Sequence, residues 1–189
     1  MEKQDDLHKK ISSILNEINT VLSILDRSQI SRMIEEILNA DKIVAIGAGR
    51  VGMAIRGFAM RLGHLGMKAW MLGDSTVPEM SKGDLLIVAS GSGETQTIFD
   101  LMEIAKKSNI KTLLITGNPQ SRMGKLADTV VQIKAPSKTK PLEGFTSIQP
   151  MTTLNEQSLG IFFDAVVLLL MERMGETHET MWARHSILE

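Results

Sequence analysis

Leu85-Leu86-Ile87-Val88-Ala89-Ser90-Gly91-Ser92-Gly93-Glu94-Thr95-Gln96-Thr97 holds, in order, an apolar run, a loop rich in glycine and hydroxyls, and the opening of an amphipathic segment. It reads as a strand, a tight loop and a helix start. A helix N-terminus carries unpaired backbone N–H groups and the positive end of the macrodipole. Glycines that let the backbone approach, with Ser90, Ser92, Thr95 and Thr97 as further donors, make this start an anion site, and phosphate is the expected ligand. The plainer reading is a Ser/Thr-rich N-cap that keeps the helix from fraying.

Similar runs flank this stretch. Ile43-Val44-Ala45-Ile46, Lys68-Ala69-Trp70-Met71, Thr112-Leu113-Leu114-Ile115 and Val130-Val131-Gln132-Ile133 join Leu85 to Val88 as candidate strands. They are continuously apolar rather than alternating, as a parallel sheet covered on both faces requires. Between them, Val51, Ala54, Ile55, Phe58 and Ala59 mark one helix, and Ile98, Leu101, Met102 and Ala105 mark another. A shorter helix is expected over Ser121 to Leu126. The fold class is therefore α/β, a doubly wound five-stranded parallel sheet of flavodoxin/Rossmann-like type, with functional groups at the carboxyl ends of the strands.

The segments outside this core are helical. Leu7, Ile11, Ile14, Ile18, Val21 and Leu25 form one seam. After a break near Asp26-Arg27-Ser28-Gln29, the residues Ile30, Met33, Ile34, Ile37 and Leu38 form a second. Such an apolar seam needs a partner, either its own domain or another subunit, and the second is favoured. Beyond the fifth strand, residues 134–150 carry Pro136, Pro141, Gly144 and Pro150 and form a long loop. A long helix is expected from about Asn155 to Met174, buried on most sides through Leu159, Phe162, Phe163, Val166, Val167 and Leu170, with Gly175 ending it. The tail from Thr177 makes a short helix or hook anchored by Met181, Trp182, Ile187 and Leu188. The chain thus reads as one domain, with residues 1–40 as a helical pair and residues 41–189 as the core and tail.

The composition narrows the function. There is no cysteine, which excludes disulfides and thiolate chemistry. The net charge of −1 has no basic block, which argues against nucleic acid or an anionic membrane as partner. The N-terminus lacks a signal-peptide pattern. The longest apolar stretch, Leu159 to Met171, is interrupted by Asp164 and is too short to span a membrane, so a cytoplasmic location is expected.

A second glycine loop, Gly47-Ala48-Gly49-Arg50-Val51-Gly52, follows the first strand and fits G-x-G-x-x-G, with Asp74 near the end of the second strand. Taken alone it suggests a dinucleotide. Arg50 is a bulky cation where a pyrophosphate would be wrapped, and two facing loops suit a small phosphorylated molecule better. Alternatively, the glycines only permit close helix–strand packing. Arg50 is either a solvated surface cation or a contact for ligand oxygens.

Together the two loops resemble the sugar isomerase (SIS) domain family, whose S-x-S-G-E-T phosphate loop is matched by Ser90 to Thr95. Thr153-Leu154-Asn155-Glu156 and Arg184-His185-Ser186-Ile187-Leu188-Glu189 extend the likeness to isomerases of that family acting on phosphorylated ketohexoses. Where relatives commonly carry Ser after the first-loop Arg, this chain has Val51.

The resemblance implies interconversion of D-arabino-hex-3-ulose 6-phosphate and D-fructose 6-phosphate in the ribulose monophosphate pathway. It also implies a homotetramer with active sites near subunit contacts. The chemistry needs no cofactor and no metal, because one base can move the proton through a cis-enediol. Ser90, Gly91, Ser92 and Thr95 would hold the phosphate, while Gly47, Gly49 and Arg50 orient the sugar. Glu156 would be the base, although by position alone it is a dipole partner of its helix. His185 would open or close the ring, in its own or a neighbouring subunit's site. By position alone it reads as a surface residue, as do His8, His64 and His178. Glu94 either accepts a sugar hydroxyl or caps its own helix. The competing readings are an isomerase for another sugar phosphate, such as a pentose 5-phosphate, and a non-catalytic sugar-phosphate module. For a DNA-binding regulator, the segment before the first strand is too short and insufficiently basic.

Overall fold

In a computed structural model, which describes residues 2–136 and 146–188, two helices, α1 (Glu2–Leu22) and α2 (Arg27–Leu38), precede β1 (Ile43–Gly47). Asp26 caps α2 by accepting from the Ser28 and Gln29 backbone N–H groups, so the break falls where the sequence places it. Then follow α3 (Gly49–His64), β2 (Ala69–Met71), β3 (Leu85–Ala89), α4 (Gln96–Lys107), β4 (Lys111–Thr116), α5 (Arg122–Leu126) and β5 (Thr129–Gln132). The chain closes with α6 (Thr153–Met174) and α7 (His178–Trp182). Pro141 and Gly144 of the expected long loop lie outside the described residues.

Among the described residues the four strand pairings are all parallel, in the order β2-β1-β3-β4-β5. The continuous apolar runs serve both faces at once. Ile43, Ala45, Leu85, Ile87, Leu113 and Ile115 join the core formed with α1, α2, α3 and α6. Val44, Ile46, Leu86, Val88 and Leu114 join the core formed with α4 and α5. This division follows from side chains alternating across a strand. Connections leave β1 and β3 in opposite directions along the sheet, so the two strands bound its switch point. Their register pairs Gly47 with Ala89, which sets the two glycine loops side by side at the carboxyl edge.

Helix α6 is apolar and long enough, by length and composition alone, to cross a membrane. Here it packs along α3, with Phe163 stacked on Phe58 at 4.4 Å between ring centroids, and Leu159, Phe162, Val166 and Leu170 are buried in the core. The expectation of burial on most sides needs correction, because Ile161, Leu168 and Leu169 form an exposed stripe. The α1 seam is likewise divided. Ile18 and Val21 are buried in the core shared with α6, whereas Leu7 and Ile11 are exposed. In the tail, Met181 packs on the core, but Trp182, Ile187 and Leu188 are exposed and, among the described residues, lie outside both buried clusters. What returns the tail to the body is Arg184, which donates to both carboxylate oxygens of Glu176 and to the His64 carbonyl.

Candidate functional site

Both glycine loops and the start of α6 line one cavity of about 210 Å³, bordered by Gly49, Arg50, Val51, Ser90, Gly91, Ser92, Thr95, Thr152, Asn155 and Glu156. The first loop shows why its glycines are there. Gly49 has φ +58°, a conformation that costs any other residue strain. A Cβ on Gly52 would lie 2.6 Å from the Gly47 carbonyl oxygen, so this pair lets the strand end and helix close on each other. The packing explanation therefore holds for Gly47 and Gly52. Arg50, in the first turn of α3, reaches across the cavity, with Nη1 lying 3.1 Å from Glu156 Oε2 and donating to Thr153 Oγ1 at 3.3 Å. Asp74, the candidate ribose acid, is instead paired with Arg56 at 3.0 Å.

In the second loop the N-cap reading fails in one respect. Thr95 occupies the cap position of α4, yet its side chain makes no capping bond. The helix start is thus left with backbone donors beside the cavity. Ser90 Oγ accepts from Gly93 N at 3.1 Å and Ser92 Oγ from Glu94 N at 3.2 Å, which folds the loop around Gly93 at φ +68°. These hydroxyl protons are not used in those bonds. Thr97 does not line the cavity.

Glu94 does not cap its own helix. Its carboxylate accepts from the Arg122 backbone N–H at 3.0 Å and from Arg122 Nε at 2.8 Å, and the Arg122 guanidinium covers the Phe99 ring. The bonds from the Arg122 side chain, then its backbone, hold Glu94 below the usual carboxylate range. Glu94 therefore clasps α5 to the start of α4. The sequence gives little sign of this, since Arg122 lies 28 residues away.

At the head of α6, Thr152 is the cap residue but again makes no side-chain capping bond; its hydroxyl donates to Glu156 Oε1 at 2.8 Å. The Glu156 side chain is 14 % exposed and the Arg50 side chain 53 %, so the carboxylate is sheltered while the guanidinium opens to solvent. The sequence marks Asn155 only as a member of the Thr153 to Glu156 motif and as a helix start. It is buried against the phosphate-type loop, close enough that a Cβ on Gly91 would sit 2.8 Å from its Oδ1. Val51 lines the cavity with an apolar group.

His185 lies elsewhere. Its ring stacks on His64 and Trp182 at 5.4 and 5.0 Å between centroids, beside a second cavity lined also by Arg61, Asp164 and Leu168. Arg50 and His64 stand near opposite ends of α3, which at 1.5 Å per residue separates them by about 21 Å. Within one chain, then, the structure brings Arg50, Glu156 and the hydroxyl loop together and leaves His185 apart.

The cavity lies at the switch point, where α/β proteins of this topology place their ligand sites, with the hydroxyl loop on one wall and a carboxylate–guanidinium pair on the other. The particular family is the SIS domain, whose sequence profile matches residues 36–161. The chain belongs to that family. It is 37 % identical to a 3-hexulose-6-phosphate isomerase of Bacillus subtilis, over 95 % of this chain and 97 % of that protein. It is 36 % identical to a 3-hexulose-6-phosphate isomerase of Mycobacterium gastri, over 98 % of this chain and 92 % of that protein. Among solved structures, a protein of Methanococcus jannaschii, whose structure was taken to infer a function of 3-hexulose-6-phosphate isomerase, aligns with a TM-score of 0.83 at 29 % identity, over 96 % and 99 % of the two chains.

Proposed function

We propose that the protein is a 6-phospho-3-hexuloisomerase, interconverting D-arabino-hex-3-ulose 6-phosphate and D-fructose 6-phosphate. The observation that carries the reading is the Arg50–Glu156 pair facing the hydroxyl loop across one cavity. The relatives of that name, which align along nearly the whole chain, support it. Ser90, Gly91, Ser92 and Thr95, with the open start of α4, hold the phosphate. Gly47, Gly49 and Arg50 set the sugar's other end.

Glu156 removes the C2 proton of the hex-3-ulose, and the C–H electrons form a C2=C3 enediolate with negative charge on O3. Arg50 stabilises that oxyanion. A proton passes from O2 to O3, and return of the proton to C3 leaves the carbonyl at C2. The furanose of fructose 6-phosphate must open before the reverse reaction, and His185 is assigned to that step. As His185 lies far from Glu156 in its own chain, it serves a neighbouring subunit's site within a homotetramer. The step belongs to the ribulose monophosphate pathway, and the enzyme is cytoplasmic.

The test is incubation with D-fructose 6-phosphate and identification of products by NMR. Formation of the 3-ulose 6-phosphate is expected. Formation of an aldose phosphate alone would replace this reading with an aldose–ketose isomerase, and no reaction with retained binding would leave a sugar-phosphate-binding module.

A further inference from the structure

The start of α6 is set by contacts outside its own sequence. Local capping is absent at Thr152, and Met151 just before it takes φ +56°, an unfavourable value for a side-chain-bearing residue. Such a turn persists only where its surroundings fix both ends. On the α6 side, the Pro150 carbonyl accepts from Thr153 N at 3.2 Å and from Thr153 Oγ1 at 2.7 Å. On the other side stands Glu17 of α1. Its carboxylate accepts from Ser147 Oγ at 2.7 Å, Ile148 N at 2.7 Å and Gln149 Nε2 at 2.9 Å, so three consecutive residues hang on one side chain.

Gln149 is buried and its Oε1 has no partner, a cost offset by the charge-assisted bond that its amide makes to Glu17. The Glu17 backbone is itself fixed, because Ile18 beside it and Val21 one turn on are buried in the core that α1 shares with α6. Partial burial acts to raise the Glu17 carboxyl, but the bonds from Gln149, Ile148 and Ser147 outweigh it and hold it below the ordinary value.

We propose that Glu17 is a positioning residue for the proton-transfer step, holding residues 147–149 so that the turn into α6 presents Glu156 to Arg50 and the bound sugar. The proposal rests on the isomerase reading for its catalytic consequence and on the geometry alone for its structural one. The bonds that the Glu17 carboxylate accepts come from Ser147, Ile148 and Gln149 and not from the phosphate loop, so its effect falls on turnover and not on phosphate affinity.

The experiment compares wild type with Glu17→Ala and Glu17→Gln by steady-state kinetics, inhibition by inorganic phosphate, and hydrogen exchange of the segment 146–156. Expected in Glu17→Ala are a kcat lower by about tenfold to hundredfold, the scale of a small misplacement of a reacting group. An unchanged inhibition constant for phosphate and faster exchange in 146–156 should accompany it. Glu17→Gln, which keeps the length and one acceptor, should fall between.

A folded Glu17→Ala with wild-type kcat and exchange overturns the proposal, as does a loss of phosphate inhibition parallel to that of kcat. If Glu17→Ala does not fold, Ser147→Ala combined with Gln149→Ala removes two of the three donors and carries the same test. If wild type turns over no sugar phosphate, the isomerase reading fails, while the exchange comparison still decides whether Glu17 holds the segment.

Discussion

Glu156→Gln is the substitution that most directly separates proton transfer from binding. Gln keeps the side-chain length and a carbonyl oxygen, so it can still accept from Thr152, whose hydroxyl lies 2.8 Å from Oε1. Arg50 keeps its bond to Thr153 at 3.3 Å, so the head of α6 has no reason to move. What is lost is a basic lone pair. A positioned general base contributes about 10²–10⁴-fold, or about 2.7–5.4 kcal/mol of barrier.

The upper part of that range applies, because Glu156 is the one carboxylate among the described residues lining the cavity. The assay is solvent exchange, with D-fructose 6-phosphate incubated in D₂O and the proton signals followed by NMR. Wild type should exchange the C3 proton and spare those on C1, which an aldose–ketose isomerase would exchange instead. In Glu156→Gln the C3 exchange should fall by about 10³-fold or more, while calorimetric affinity for a phosphorylated sugar alcohol stays the same or tightens as a neighbouring negative charge is removed. C3 exchange at the wild-type rate in a folded variant would refute the assignment of Glu156 as base.

Ser92→Ala combined with Thr95→Ala should weaken phosphorylated sugars far more than their unphosphorylated counterparts, by about 100–200-fold if each lost bond to a charged ligand is worth about 1.5 kcal/mol; equal losses, measured by calorimetry, would put the phosphate elsewhere. Gly52→Ala forces a Cβ to within 2.6 Å of the Gly47 carbonyl oxygen and should cost about 1–3 kcal/mol in urea denaturation, with an unchanged midpoint contradicting the close approach of β1 and α3. In the tail, side-chain bonds from Arg184 and then Thr180 bring Glu176 from an ordinary 4.5 down to about 2. A carboxyl lowered on folding stabilises in full above its unfolded value and loses that contribution as pH falls from about 4.5 towards 2. Fluorescence of Trp182 in a Trp70→Phe background should therefore report tail release within that window, modestly and with salt sensitivity as an exposed pair dictates; a flat trace, or the same transition in Arg184→Met, would show that the clasp does not hold the tail.

The parts of the molecule legible in the sequence are those whose causes are local. The three central strands announce themselves by short apolar runs because both of their faces are covered, and the Ser90 to Thr95 loop because strand end, glycine turn and helix start are contiguous. The register that seats Gly47 beside Ala89 follows from the parallel order and brings the first loop to the second. Where a residue's partner lies far along the chain, the sequence is mute. Glu94 sits inside the most readable motif, yet Arg122 determines its role. Glu17 looks like any polar position on an amphipathic helix until Ser147, Ile148 and Gln149 fold onto it.

The tail shows the same limit from the other direction. An apolar residue that anchors a hook within its chain and one that seats the hook on another subunit have the same signature in sequence, and only placement separates them. Ile187 and Leu188 are 96 % and 92 % exposed, two and three residues beyond His185, while His185 itself stands a helix length from Glu156. On the proposed mechanism these facts belong together. A group that works in a neighbouring copy's site has to be held there, and cover for Ile187 and Leu188 by that copy would bury apolar surface at the point where His185 must be fixed. Ile187→Asp should then lower kcat together with the assembly's dissociation midpoint, measured by sedimentation, whereas a stable assembly with full activity would detach the tail from the reaction.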